Sequence, residues 1–112
     1  MLAKAIARHV RMTSRKADYV VRPIRQRTVA QALALLSATN RRAAGPVAKL
    51  VASAFANARQ KDPALREEDV IVSKAVADQG PTWKRFRAAA FGRAARILKR
   101  TTHITVELEK RR

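Results

Sequence analysis

The side chains that could carry out chemistry are few and scattered. His9 and His103 stand near opposite ends of the sequence, and neither is accompanied by an HExxH pattern or a spaced set of carboxylates that would complete a metal site. Each reads as a strand residue near nucleic acid or as a surface histidine. The chain has no cysteine, which removes thiolate nucleophiles, sulfur-ligated metals and a disulfide framework. Its three glycines, Gly45, Gly80 and Gly92, form neither a GxGxxG nor a GxxxxGK phosphate cradle. Glu67, Glu68 and Asp69 adjoin one another in a loop-like stretch, the pattern of solvated charge rather than of an acid–base pair. No catalytic residue, metal or cofactor is expected, and the chain does not read as an enzyme.

Cationic chemistry is abundant instead. The stretch GPTWKRFRAAAFGRAARILKRTTHITV, residues 80–106, holds seven Lys or Arg and no acid. Across 112 residues, 25 Lys or Arg face eight acids, a formal charge of +17. A single charge run is usually a solvated face, but a body with this balance needs a polyanion to relieve its self-repulsion, and nucleic acid is the leading candidate. The acids are also unevenly placed, since before Asp62 there is only Asp18. No apolar run approaches the roughly 18 residues that span a membrane, and the start MLAKAIARHVRM lacks a secretory core. A small-molecule substrate and a membrane partner are therefore not expected.

Elements able to position these cations follow from periodicity. The length fits one domain with a modest core. In TSRKADYVVRPIRQ, Ala17, Val20, Val21 and Ile24 fall at i, i+3, i+4 and i+7, predicting a helix capped by Thr13 or Ser14 and kinked by Pro23. Arg15, Tyr19 and Arg22 share its opposite face. Solvation accounts for such a face, and so does phosphate contact, with Tyr19 as hydroxyl donor or stacking ring. A second helix follows Thr28, with Val29, Ala32, Leu33 and Leu36 inward. A third, reaching about Arg59, turns Val47, Leu50, Val51, Ala54, Phe55 and Ala58 to the core, and Pro46 suits its first turn. On its flank, Ala48, Ala52 and Ala56 permit the close approach of another helix or of an RNA backbone, helix packing being the expected cause. Alternation predicts strands at 70–77 and 102–109, and AKAIARHV, residues 3–10, reads as a third.

Between the strands at 70–77 and 102–109, residues 78–101 can form a hairpin whose arms of about 12 residues each reach roughly 40 Å. A two-stranded ribbon with no core behind it is marginal in water, so its partner must help to order it. The expected architecture is α+β: three helices packed on a small antiparallel sheet, with a long protruding β-hairpin. One domain covers 1–112, its body formed by 1–77 and 102–112.

Four segments, AKAIARHVRMTSRKADYVV, PVAKLVASAFANA, GPTWKRF and GRAARILKRTTHITV, resemble in their order the bacterial-type large-subunit ribosomal protein twenty-two family, collinearly across residues 3–108. The resemblance makes Ala3 to Val10 a first strand rather than part of an Arg-rich transit peptide. It implies a structural and assembly protein that binds large-subunit ribosomal RNA, neighbours other large-subunit proteins, and lines the peptide exit tunnel with its hairpin, touching the nascent peptide. Its place would be the cytoplasmic ribosome of a bacterium or an organelle's ribosome. Carried over, the RNA-contacting set is Arg8, Arg11, Arg15 and Lys16, then Lys84, Arg85, Arg87, Arg93, Arg96, Lys99, Arg100, Thr101 and His103, beside the helix face of Tyr19 and Arg22. The tunnel tip would be Arg87, Ala88, Ala89, Ala90, Phe91, Gly92 and Arg93.

The chain departs from that family's pattern in places. Thr13-Ser14 stands where Ser-Pro is common, Gln26 where Gly is common, and Trp83 where an aliphatic residue is common. Ala88 and Ala89 replace a Pro and a basic residue, and Phe91 a polar one, which implies a weaker RNA anchor and a more apolar tunnel wall. Two other readings compete. A DNA-architectural protein with basic β-arms would share the size and charge, but its arms usually carry an apolar wedge, often Pro, at the tip. A membrane-active cationic protein would need one strongly amphipathic basic helix, and these helices need their apolar faces for a core.

Overall fold

The computed structural model describes residues 2–88 and 94–111, and for 83–88 and 94–98 the backbone alone. β1 spans Ala3–Val10. Thr13, in extended conformation, then caps α1 (Ser14–Val21), its hydroxyl accepting from the backbone N–H of Lys16 at 3.4 Å. Where a longer helix with a kink was expected, the chain tightens into a 3₁₀ turn, Arg22–Ile24, around Pro23. Pro23 has no N–H to continue the α-helical ladder, so the helix ends rather than bends.

Thr28 opens α2 (Val29–Ala38) with a reciprocal cap: its hydroxyl accepts from Gln31 N–H at 3.2 Å, and the Gln31 side chain accepts from Thr28 N–H at 3.3 Å. α3 runs Ala44–Lys61, two residues past the expected end, and starts at Ala43 with no side-chain cap. β2 (Val70–Gln79), β3 (Trp83–Ala88), β4 (Ala94–Lys99) and β5 (Thr102–Lys110) complete the chain.

β1, β5 and β2 make an antiparallel sheet in that spatial order, and β3 pairs with β4 in a separate antiparallel ribbon. The α+β class and the three-helix, three-strand body match the expectation. The molecule measures 65 × 25 × 16 Å. The core lies between one sheet face and the helices: Ile104, Val106 and Leu108 of β5 are fully buried, as are Val21, Ile24, Val29, Val47 and Val51 opposite them. Leu33 and Phe55, expected inside, are only partly buried at its margin. The alanine flank of α3 is a correction. Ala52 and Ala56 are exposed and Ala48 is only partly buried at the core margin, so among the described residues no helix packs along the whole stripe.

Two bulges shape the sheet. Opposite β5, the pairing of β2 slips between Val72 and Lys74, leaving Ser73 as the extra residue. Side chains alternate along a strand, so one inserted residue reverses which parity faces the core. Val70 and Val72 are therefore buried before the bulge, and Ala75 after it. Gln26 sits beside this bulge at φ 64, donates its backbone N–H to Val72 O at 2.7 Å and its side-chain amide to Ser73 O at 3.2 Å. Left-handed backbone is where glycine is free of strain, so Gln26 holds a conformation that a Gly would adopt at lower cost. In β1 the register slips between Ala7 and Val10, and His9 takes φ 57.

Two buried threonines fix the root of the hairpin, Thr101 by joining its two arms and Thr102 by tying it to the body. Thr101 donates its hydroxyl to Pro81 O at 2.6 Å, and Thr102 donates to Met12 O at 2.8 Å. Gly80 N–H donates to Thr101 O at 2.9 Å.

Candidate nucleic-acid interface

Four of the cations that the sequence singled out come together at the hairpin root. Arg11 from the turn after β1, Lys16 from the first turn of α1, and Lys99 and Arg100 from the return of the hairpin line one open cleft of about 720 Å³. Arg41 and Arg42, from the loop between α2 and α3, line it too. These two were missed, because they lie in a short loop without periodicity. The available signal was an adjacent cation pair just before a helix whose first turn contains no acid. Among the described residues, no acid lines the cleft.

Along the outer face of α1 the expected residues divide. Arg15 and Lys16 are exposed, and the first turn contains no acid. Arg22 is less free than the sequence suggested: its Nε lies 2.6 Å from Asp18 Oδ2, and Arg25 stands 3.6 Å from the other carboxylate oxygen. Tyr19 is 55% exposed and has the Arg41 guanidinium 5.2 Å from its ring centroid. One ring face is thus already engaged by a cation–π contact rather than open to a base. A shallow recess of about 150 Å³ among Arg15, Asp18, Tyr19 and Arg22 lies on the same face.

Thr101 is placed differently from its expected role. It is 1% exposed and its hydroxyl serves Pro81, so it holds the root instead of offering a contact surface. Arg8 is exposed in the bulged end of β1. His103, half-buried, accepts at Nδ1 from the backbone N–H of His9 at 3.1 Å, and the two rings meet edge to face with centroids 4.9 Å apart. Sequence had left these histidines unrelated. They form no metal site: no group of three or more His, Asp or Glu is suited to hold an ion among the described residues.

In the ribbon, Lys84, Arg85 and Arg87 take β3 positions opposite Leu98, Ile97 and Ala95, and Arg96 pairs in register with Phe86. Ala88 ends β3 opposite Ala94. The rest of the expected tip, Ala89, Ala90, Phe91, Gly92 and Arg93, lies outside the described residues. No described helix is long and apolar enough to cross a membrane.

The structure is thus a small α+β body with a two-stranded ribbon, and a cleft at their junction is lined by six cations and, among the described residues, by no acid. The chain belongs to the ribosomal protein L22p/L17e family, whose pattern matches residues 5–109. It is 52% identical over 110 residues to the large ribosomal subunit protein uL22 of Bifidobacterium animalis subsp. lactis, covering 95% of this chain and 92% of that one. The uL22 protein of Bifidobacterium longum is 53% identical with the same coverage.

Proposed function

We propose that this chain is a structural component of the large ribosomal subunit that binds large-subunit rRNA, supports subunit assembly and lines the peptide exit tunnel with its hairpin. The observation that carries the reading is the gathering of acid-free cations at the junction of body and ribbon, in a chain of +17 that belongs to a ribosomal protein family. Arg8, Arg11, Arg15, Lys16, Lys99 and Arg100 would meet phosphates from the body side. Lys84, Arg85, Arg87, Arg93 and Arg96 would do so along the hairpin, with 87–93 presented to the nascent peptide. Neighbouring large-subunit proteins are the remaining partners, and the bacterial cytoplasm, within the ribosome, is the expected location. Family membership weighs against the DNA-architectural alternative.

Two measurements test this reading. If about eight phosphates are neutralised, log K for structured RNA should fall with log salt with a slope of about −6 to −7. Affinity that stays flat between low and moderate salt would exclude phosphate-driven binding. Replacing residues 87–93 by a two-residue Asn-Gly turn, which suits a hairpin, should change stability by no more than about 1 kcal/mol, because the change is remote from the core. The shortened protein should still enter large subunits, whereas RNA probing around the tip and cross-linking from a nascent chain should change. Unchanged probing and cross-linking would remove the tunnel-lining role.

A further inference from the structure

The cleft at the hairpin root has a composition that the fold itself does not require. Its six cations, Arg11, Lys16, Arg41, Arg42, Lys99 and Arg100, come from three stretches of the sequence, 11–16, 41–42 and 99–100, and together they line one cleft of about 720 Å³ with no acid among the described lining residues. Like charges gathered around one cleft repel one another in the free protein, a cost that a bound polyanion relieves.

Two helices also begin at its wall. Thr13 caps α1, Ala43 precedes α3, and both residues line the cleft. Neither first turn contains an acid, so the partial positive charge of each helix start adds to the side chains instead of being neutralised locally. Arg41 is held in advance by the Tyr19 ring, 5.2 Å from its guanidinium. A cation–π contact does not consume the guanidinium N–H donors, which stay available for a phosphate fork. Met12 and Ala43 add apolar surface to the lining.

We propose that this cleft seats a run of consecutive phosphates from the backbone of folded RNA, and that the seated strand fastens the hairpin root to the body. A single small anion would leave most of the charge uncompensated, whereas an RNA strand brings one negative charge per nucleotide along a continuous chain. Lys99 and Arg100 belong to the hairpin's return, and the other four cations to the body. A strand that contacts both walls therefore limits the angle at which the hairpin leaves the sheet. The proposal rests on the RNA-binding reading above and adds the site to it.

The test uses the full chain with two labelled probes, in-vitro-transcribed large-subunit rRNA and an octauridylate, by fluorescence anisotropy across salt concentrations. Arg41→Ala with Arg42→Ala removes one wall, and Lys99→Ala with Arg100→Ala removes the other. Arg59→Ala with Arg66→Ala removes the same charge at exposed positions outside the cleft. Each cleft variant should lose at least tenfold in affinity for both probes, and its salt slope should shrink by about 1.4 to 1.8, the loss of two phosphate contacts. The control variant should stay within twofold of the parent. Hydrogen exchange at Gly80 and Thr102 should slow when rRNA binds the parent and should not slow in either cleft variant. Equal losses in cleft and control variants, or no loss in any, would overturn the cleft while leaving RNA binding intact. A parent chain that binds neither probe would overturn both readings.

Discussion

The backbone N–H of His9 donates to Nδ1 of His103 at 3.1 Å, joining the bulged end of β1 to the strand that follows the hairpin. The bulge takes this N–H out of the regular ladder, and the imidazole replaces the missing carbonyl. His103→Leu keeps the bulk and removes the acceptor. It should lower stability by about 1 kcal/mol in thermal or denaturant unfolding, the net worth of one such bond. Amide exchange at His9 should accelerate more than at Ala5. An unchanged exchange rate at His9 would show that the bond does not persist in solution.

Gly80 leaves no room for a side chain. A Cβ built there would lie 2.6 Å from Thr101 Oγ1 and 3.1 Å from the His103 ring. Gly80→Ala should therefore push Thr101 away from Pro81 and cost about 1–3 kcal/mol, the usual penalty of overpacking. Because the closer clash is with the Thr101 hydroxyl, Thr101→Ala in the same chain should recover part of the loss. A double-mutant cycle on unfolding free energies checks this, and strict additivity would mean that the two residues do not interact.

Lys16→Glu separates folding from binding. Residue 16 is the third helical position after the Thr13 cap, so a glutamate there completes a reciprocal cap and also suits the positive helix start. Stability should rise by about 0.3–1 kcal/mol. RNA affinity should fall, since a cation of the cleft becomes an acid. Circular dichroism with unfolding, run beside an RNA titration, reads both effects. Falling stability would place the Lys16 side chain in a structural role.

Deleting Ser73 should be far worse than altering it. Ser73→Ala loses the hydroxyl bond to Glu107 O, 3.1 Å in the native protein, and should cost about 1 kcal/mol. Deletion removes the bulge and turns Val70 and Val72 to solvent, each worth about 1.5–3 kcal/mol when buried. A protein of this size has little surplus, so cooperative unfolding should disappear for the deletion and persist for the alanine variant.

Local pattern was enough for the elements. The spacing of Ala17, Val20, Val21 and Ile24, the caps at Thr13 and Thr28, and the alternation of Ile104, Val106 and Leu108 were all legible, because helical and strand periods are set within a few residues by backbone geometry. Total charge was legible as well, since it needs no fold. The end of α1 at Pro23 was only half legible: a missing donor predicts a disturbance but not whether neighbouring packing turns it into a kink or a stop.

Only the tertiary structure decided which cations lie together. Arg41 and Arg42 join Arg11, Lys16, Lys99 and Arg100 because sheet pairing brings the hairpin root over the starts of α1 and α3, a closure between segments that no local window contains. The same holds for His9 and His103, which meet through strand register. Register also placed the Ser73 bulge, which alternation alone could not reveal, since one extra residue exchanges the two faces without changing the composition of either. Thr101 was withdrawn from the surface for the same reason: its burial depends on Pro81 and Gly80 folding back across it, and a threonine's sequence neighbours do not tell whether its hydroxyl will face an RNA strand or its own chain.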